Sequence, residues 1–567
     1  MRRSFAWFLT LLIALTACGP AAQSPVTGAG ARPDGPNRPA GPKRLVAVVA
    51  GDPHTLYQKF NPSSTVRGVE ELELMVNAGM SVQDNTGIYR PQLAEAVPSL
   101  ENALWQLLPD GRMQTIWNIR PDAQWHDGKP VTPHDLIFAV AVNQDRDLQI
   151  TRHKGLALIE SMEETGPRTI TVLWKQPYIE ADRTFSAQMA LPLPSHLLES
   201  AFQADKSSFA NLPYWTEQFV GAGPFKVKEL IRGSHMILEA NDRYVLGRPK
   251  VDTIEVRFIP DPNTLVANVL ADAVDLALGR GVSLEQALQV RELWRNGAAE
   301  MALASFVQVF PQLLSPSPAV IANPRFRQAL LMGIDRQEMV DSIQSGVVPI
   351  AHVFVAPDEP EFRAIDSAVV KYNFDPRAAA QVIEQLGYTK GSDGVYRDGS
   401  GQRLEVELRA TAGDLNQKTM FGIASYWQRL GLAPETVAIP PQRARDLEYR
   451  STFPGFAVQR QGGELSFMEN FHSSQARTPE NRFAGNNNTR YVNPEMDAII
   501  DRYLRTIPED ERMAVAREGV RHITENVVEF PLYYDTQPAL ISNKLVNVYA
   551  AHGNTQTAWN AHEWDVK

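Results

Sequence analysis

Cysteine is nearly absent: one thiol, Cys18, stands in 567 residues. No disulfide can form within the chain, so its stability has to come from a buried core. Positive charge is in deficit. With 55 Lys and Arg against 65 Asp and Glu the formal net charge is −10, which excludes a nucleic-acid partner, because that needs a basic footprint. Long hydrophobic runs are missing too. The apolar stretch from Phe5 to Leu15 is about a dozen residues, short of the roughly 17 to 25 that span a bilayer as a helix. Catalytic signatures are likewise lacking: there is no His-Glu-x-x-His, no Gly-x-Ser-x-Gly elbow and no P-loop. The eleven histidines are scattered, and nothing sets a nucleophile beside a base. The chain reads as a non-enzyme that needs no cofactor and no metal.

What is present begins at the N-terminus. Arg2 and Arg3, the apolar run, and the small residues before Cys18 follow the order of a secretory signal peptide. Leu15-Thr16-Ala17-Cys18 resembles the bacterial lipobox, in which the thiol is lipidated and becomes the mature N-terminus. Residues 1–17 are then the signal peptide. Residues 18–42, rich in Pro, Gly and Ala, form a flexible tether that buries too little to fold. Arg44-Leu-Val-Ala-Val-Val49 reads as a buried first strand. Length alone suggests three or four domains, and no internal repeat is evident.

Two stretches narrow the reading. Met113, Thr115, Trp117 and Ile119 alternate as in a half-buried strand, Asp127-Gly128 marks a turn, and Thr132-Pro133-His134-Asp135 opens a helix with a capping box. Later come Gly221-Ala-Gly-Pro-Phe225, Asn241 with Tyr244, Gly247 and Pro249, and a strand in which Ile254, Val256 and Phe258 alternate. Asp335 and Glu338, Asp375-Pro376, and Asn493-Pro494 each start a helix, with Gly346 and Gly387 as stops. His126 and His134 are expected at surface or capping positions. The acids Glu71, Glu73, Asp501, Glu509, Asp510 and Glu511 are expected on solvated helix faces.

In this order the motifs Trp125-His-Asp-Gly-Lys-Pro130, Thr132-Pro-His-Asp135, Gly221-Ala-Gly-Pro-Phe225, Asp272-Ala-Val-Asp275, Arg325-Phe-Arg-Gln-Ala-Leu330, Asn493-Pro-Glu-Met-Asp497 and Pro531-Leu-Tyr-Tyr534 resemble the extracellular solute-binding proteins of family 5, the oligopeptide, dipeptide and nickel class that serves ABC importers. The resemblance implies an α/β fold, a two-lobed periplasmic-binding-protein clamp of class II in its large form, with an extra subdomain in the N-terminal lobe. On that basis 43–74, 186–300 and 526–567 build the core of the first lobe, 75–185 is the inserted subdomain, and 301–525 is the second lobe. It further implies an exported receptor, anchored by lipid at Cys18 to the outer face of the cell membrane or held in the periplasm. Such a receptor acts as a monomer and hands a peptide or similar polar solute to permease subunits. The alternatives are a sugar-oligomer or other non-peptide binder on the same scaffold, or a ligand-dependent sensor.

The departure from the family lies around Phe453-Pro-Gly-Phe-Ala-Val-Gln-Arg-Gln-Gly-Gly463. Peptide-binding relatives carry Trp-x-Ala-Asp-Tyr there, whose Asp meets the peptide ammonium. This chain offers Gln459, Arg460 and Gln461, which suit neutral polar or anionic groups better, with Glu464 nearby to replace the Asp. Phe456, Gln459, Arg460, Gln461 and Glu464 are therefore the candidate ligand contacts. The bland reading makes Gln459 to Gln461 a solvated loop.

Overall fold

Alternation along Leu45, Ala47 and Val49 and along Ile254, Val256 and Phe258 yields two parallel strands within a large mixed sheet. The computed structural model describes residues 41–567 except 62–67, 149, 151, 412, 444, 445 and 554. Cys18, the signal segment and the tether up to residue 40 lie outside the described residues. Among the described residues the sheet has ten strands: β1 (Arg44–Val49), β2 (Phe225–Ile231), β3 (His235–Ala240), β4 (Thr253–Phe258), β5 (Leu276–Ala277), β6 (Gly297–Pro311), β7 (Glu405–Ala410), β8 (Ala433–Ala438), β9 (Phe456–Gln461) and β10 (Phe530–Ser542). Across the sheet they run β8-β7-β9-β6-β10-β5-β1-β4-β3-β2.

Two of these strands decide the architecture. β6 and β10 are antiparallel partners from Gly297 opposite Ser542 to Val309 opposite Phe530. Near one end β10 also pairs with β5, through Leu276 opposite Ile541. Near the other end β6 pairs with β9, Phe306 opposite Gln461. The register slips between Leu303 and Ser305. A bulge of this kind bends a ladder and raises its twist, and it falls where the strands pass from one half-sheet to the other. Each half has its own apolar core. Leu45, Val49, Trp215, Val256 and Trp564 pack in the first, and Val309, Leu408, Trp427, Phe456 and Phe530 in the second. These are the two lobes.

Within 75–185 a separate antiparallel sheet runs Trp105–Leu107, Met113–Asn118, Thr169–Trp174, Ile159–Gly166. Met113, Thr115 and Trp117 face inward as their alternation requires, onto Trp125, Trp174 and Phe185. The helix Pro133–Gln144 starts as its sequence predicts, with the Asp135 carboxylate accepting the Thr132 N–H at 2.8 Å. Asp335, Asp375 and Asn493 cap their helices from the N-cap position, their side chains accepting the backbone N–H groups of Glu338, Ala378 and Met496.

Two sequence expectations are corrected. Glu71 and Glu73 are not solvated: both are buried in the helix Val69–Val76, which is enclosed on nearly every side. Glu71 accepts the backbone N–H groups of Thr557 (3.1 Å) and Ala558 (2.7 Å), and Glu73 accepts that of Gln58 at 3.0 Å. His126 is buried rather than on the surface. Its Nδ1 accepts the Gly221 N–H at 3.2 Å and its Nε2–H donates to the Gly223 carbonyl at 3.0 Å, while burial pushes its pKa down to about 4. The glycines of that motif are required by close approach, since a Cβ on Gly221 would overlap the Val76 carbonyl. His134 is exposed, as expected, and meets Glu199 at 2.9 Å.

Candidate functional site

At the bulge the two lobes face each other across a polar cavity of about 280 Å³. Glu70 and Arg280 stand on its first-lobe side, Arg460 and Gln461 on its second-lobe side, and Ser305 and Gln537 on the crossing strands between them. Thr555 and Gln556 complete the wall. They are held there by Glu71, whose carboxylate grips the next two backbone amides of the chain. Burial, with Glu70 as a like-charged neighbour, pushes the Glu71 pKa up to about 8.

The electrostatic centre of this region is Asp535 on β10, only 4% exposed. Arg280 of the first lobe donates from Nη1 to its Oδ2 at 2.8 Å, and Arg460 of the second lobe reaches the same oxygen at 3.4 Å. Ser305 Oγ donates to Oδ2 at 3.3 Å and Gln344 Nε2 to Oδ1 at 3.3 Å. Arg280 also donates to the Thr536 carbonyl at 2.8 Å. One buried carboxylate thus ties the strand crossing to both lobes, with the charge pairing that burial demands.

The candidate contacts separate into three groups. Arg460 and Gln461 line the cavity. Phe456 does not: it is wholly buried in the second-lobe core, its ring centroid 4.8 Å from Trp427 and 5.6 Å from Phe530. It sits at the core end of the strand, before that core gives way to the cavity, a correction to its place among the ligand contacts. Gln459 stands opposite Gln308 within the sheet and is not part of the cavity wall. Glu464 accepts the Ser466 hydroxyl at 2.7 Å at the start of a 3-10 helix, Leu465–Phe471, and its charge acts on Tyr89 and Arg183 of the inserted subdomain. Sequence reasoning missed Glu70, Arg280 and Asp535. An acid inside the apolar run Phe530–Ser542 was the available signal, because a buried carboxylate is almost always paired.

The lobes meet a second time, away from the strand crossing. The Ile179 N–H of the inserted subdomain donates to the Leu504 carbonyl at 3.1 Å, Lys154 forms an ion pair with Glu469, and Ile507 joins the subdomain's apolar cluster. A cavity of about 210 Å³ lies beside this contact, walled by Lys154, Tyr178, Glu469, His472, Asp501 and Arg505. Among the described residues no His, Cys, Asp or Glu side chains gather to hold a metal ion, and no helix is long and apolar enough to cross a membrane.

Residues 89–479 match the family described as bacterial extracellular solute-binding proteins, family 5 (middle). The oligopeptide-binding protein AppA of Bacillus subtilis is 23% identical over 464 residues, 80% of this chain and 79% of that protein. The crystal structure of the Thermus thermophilus oligopeptide-binding protein with a pentapeptide superposes with a TM-score of 0.70 at 21% identity, covering 92% of this chain and 96% of that one. NikZ of Campylobacter jejuni in complex with Ni(L-His) gives a TM-score of 0.71 at 20% identity, with 92% and 99% covered. The chain is a two-lobed solute-binding receptor of the clamp type, not an enzyme. It belongs to the bacterial extracellular solute-binding proteins of family 5.

Proposed function

We propose that this chain is the extracytoplasmic receptor of an ABC importer, capturing a peptide or similar polar solute between its lobes and presenting it to the permease. The observation that supports this most directly is the pair of crossing strands with a polar cavity at their bulge. Two lobes joined there can swing about one line. A solute that touches both walls holds them together, and that difference in contact is what shifts the population toward the closed form. The relatives named as oligopeptide-binding and peptide-binding ABC transporter proteins support the import role. The signal pattern before Cys18 supports lipid anchoring outside the cell membrane.

Small-angle scattering tests the clamp. The purified chain, freed of solute and then saturated with the solute that native mass spectrometry identifies, should show a smaller radius of gyration when loaded. An unchanged radius at saturation overturns the proposal. Fatty-acid labelling tests the anchor: Cys18→Ser should abolish the label, and label retained on that variant would refute it.

A further inference from the structure

A histidine also bridges the lobes. His552 belongs to the C-terminal segment whose Ala550, Ala558 and Trp564 pack in the first-lobe core. Its Nδ1 meets Asp358 Oδ2 at 3.2 Å. Asp358 stands on a turn just after Val353, Phe354 and Val355, which pack with Phe467 and Met468 on the second-lobe side. Backbone pins the segment in place: the Gly553 N–H donates to the Leu303 carbonyl at 2.8 Å, at the bulge. Glu359 lies so close to the same glycine that a Cβ on Gly553 would overlap its carboxylate.

Two properties set this bridge apart. Among the described residues His552 is the one histidine paired with a carboxylate of the other lobe; pairs such as His134–Glu199 and His472–Asp501 stay within a lobe. Imidazole is also the side chain whose ordinary charge change falls between about pH 5 and 8. Lys418, in the Lys418–Glu285 bridge, is instead held above the ordinary lysine value by Asp414. The surroundings of His552 are acidic. Asp358, Glu359 and Glu361 come from the turn, Glu464 from the chain after β9, and Glu300 from β6. The hydrogen bond to Asp358 raises the His552 pKa, with the charges of Glu359 and Glu300 behind it and a smaller opposing effect of burial. Burial, then the like charges of Glu361, Asp358 and Glu464, push Glu359 up to about 7, with His552 pulling the other way.

We infer that the His552–Asp358 bridge is a proton-dependent clasp, which holds the lobes together in mild acid and loosens as His552 loses its charge and Glu359 gains one. The inference rests on the clamp reading above and adds a regulation to it. With the lobes apart, His552 loses its carboxylate partner and Glu359 loses the cover of Gly553, so both return toward their ordinary values. The closed chain therefore binds more protons than the open one. The contribution of His552 is fully present below its ordinary value of 6.5 and is lost as pH rises through its raised value. That of Glu359 is fully present below 4.5 and is lost as pH rises through about 7. Both groups push the same way. The bridging side chains are 44% and 37% exposed, so the closed-to-open ratio should change by about two- to fivefold, the range of a surface pair.

Small-angle scattering on the solute-free mature chain, from about pH 5.5 to about pH 8.5 at constant ionic strength, tests it without any ligand. The radius of gyration should rise with pH. His552→Gln and Asp358→Asn each remove one end of the bridge at a half-exposed position, and each should flatten the profile. His134→Gln, whose partner Glu199 lies on the same lobe, should leave it unchanged. Lys154→Ala reports whether the lobes part at all, because it breaks the ion pair to Glu469 and should raise the radius at either pH. A wild-type radius that ignores pH while Lys154→Ala still raises it overturns the clasp and leaves the clamp standing. A pH-dependent radius that survives in both His552→Gln and Asp358→Asn overturns the clasp too, as does a radius that falls with rising pH. A radius fixed under pH, His552→Gln and Lys154→Ala alike overturns the clasp and the clamp together.

Discussion

Two of the contacts between the lobes are built on different principles, beside the polar bridges His552–Asp358 at 3.2 Å and Lys418–Glu285 at 3.5 Å. At the inner contact the main chain itself passes from lobe to lobe twice, in β6 and β10, and a ladder of backbone hydrogen bonds runs through the passage. A buried carboxylate with two guanidinium partners reinforces it. At the outer contact no chain crosses. One backbone hydrogen bond, one ion pair between a half-exposed lysine and a mostly buried glutamate, and the apolar side chains Ile179 and Ile507 carry it. Two continuous strands and a carboxylate held by two guanidiniums resist separation more than a single half-exposed ion pair does, such pairs contributing on the order of 1 kcal/mol. The inner contact is therefore the pivot and the outer contact is the latch. A clamp needs this asymmetry, since two strong contacts would lock it shut and two weak ones would leave it without an axis.

The largest expected effect comes from breaking the pivot. Asp535→Ala leaves both guanidiniums facing an emptied position and should destabilise the chain by about 3 kcal/mol. That is the low end for a broken buried pair, because Arg460 keeps 35% of its side chain exposed. Urea unfolding measures it, and a loss within experimental error would mean the cluster is ornamental.

Next comes the strap that walls the cavity. Glu71→Gln keeps one acceptor but turns an amide N–H toward a backbone donor, at a cost of about 1–2 kcal/mol near neutral pH. The same residue sets a pH dependence. Its folded pKa, pushed up to about 8 by burial, lies above the ordinary carboxylate value, so the folded chain binds more protons than the unfolded one between the two. The stability held by the neutral form is present below about pH 4.5 and is lost as pH rises through about 8. Glu73, pushed up to about 7 by burial, acts in the same direction. Melting temperatures should fall from about pH 5 to about pH 9, less steeply in Glu71→Gln, and a parallel slope in the variant would refute the assignment.

The smallest stability change belongs to the latch. Lys154→Ala should alter unfolding by less than about 1 kcal/mol yet raise the radius of gyration of the solute-free chain. A variant that unfolds much earlier without opening would reverse the roles given to the two contacts.

Much of the scaffold was legible because its signals are short in range. The capping residues Thr132, Asp335, Asp375 and Asn493 act on amides two or three positions away, and the alternation in 113–118 and 253–258 is a property of each strand alone. Position in a family motif was less informative. Phe456 and Arg460 lie four residues apart on the same strand, yet one fills a core and the other reaches the cavity, because the core ends between them. Glu71 and Glu73 misled for a related reason. Charged residues in a helix read as solvent-facing unless something distant satisfies them, and the amides that satisfy Glu71 come from 486 and 487 residues further along.

By itself, then, the sequence determined the elements, their order, the two-lobed α/β class and the family, since all of these rest on local pattern and on motifs read in line. Tertiary structure alone decided that Arg280 meets Asp535 across 255 residues and that Arg460 meets it across 75. It alone set the bulge at Leu303 and Ser305 on the line between the lobes, and brought Thr555 and Gln556 into the cavity wall. Each of these depends on where a distant part of the chain returns, which no propensity of the residues at either end encodes.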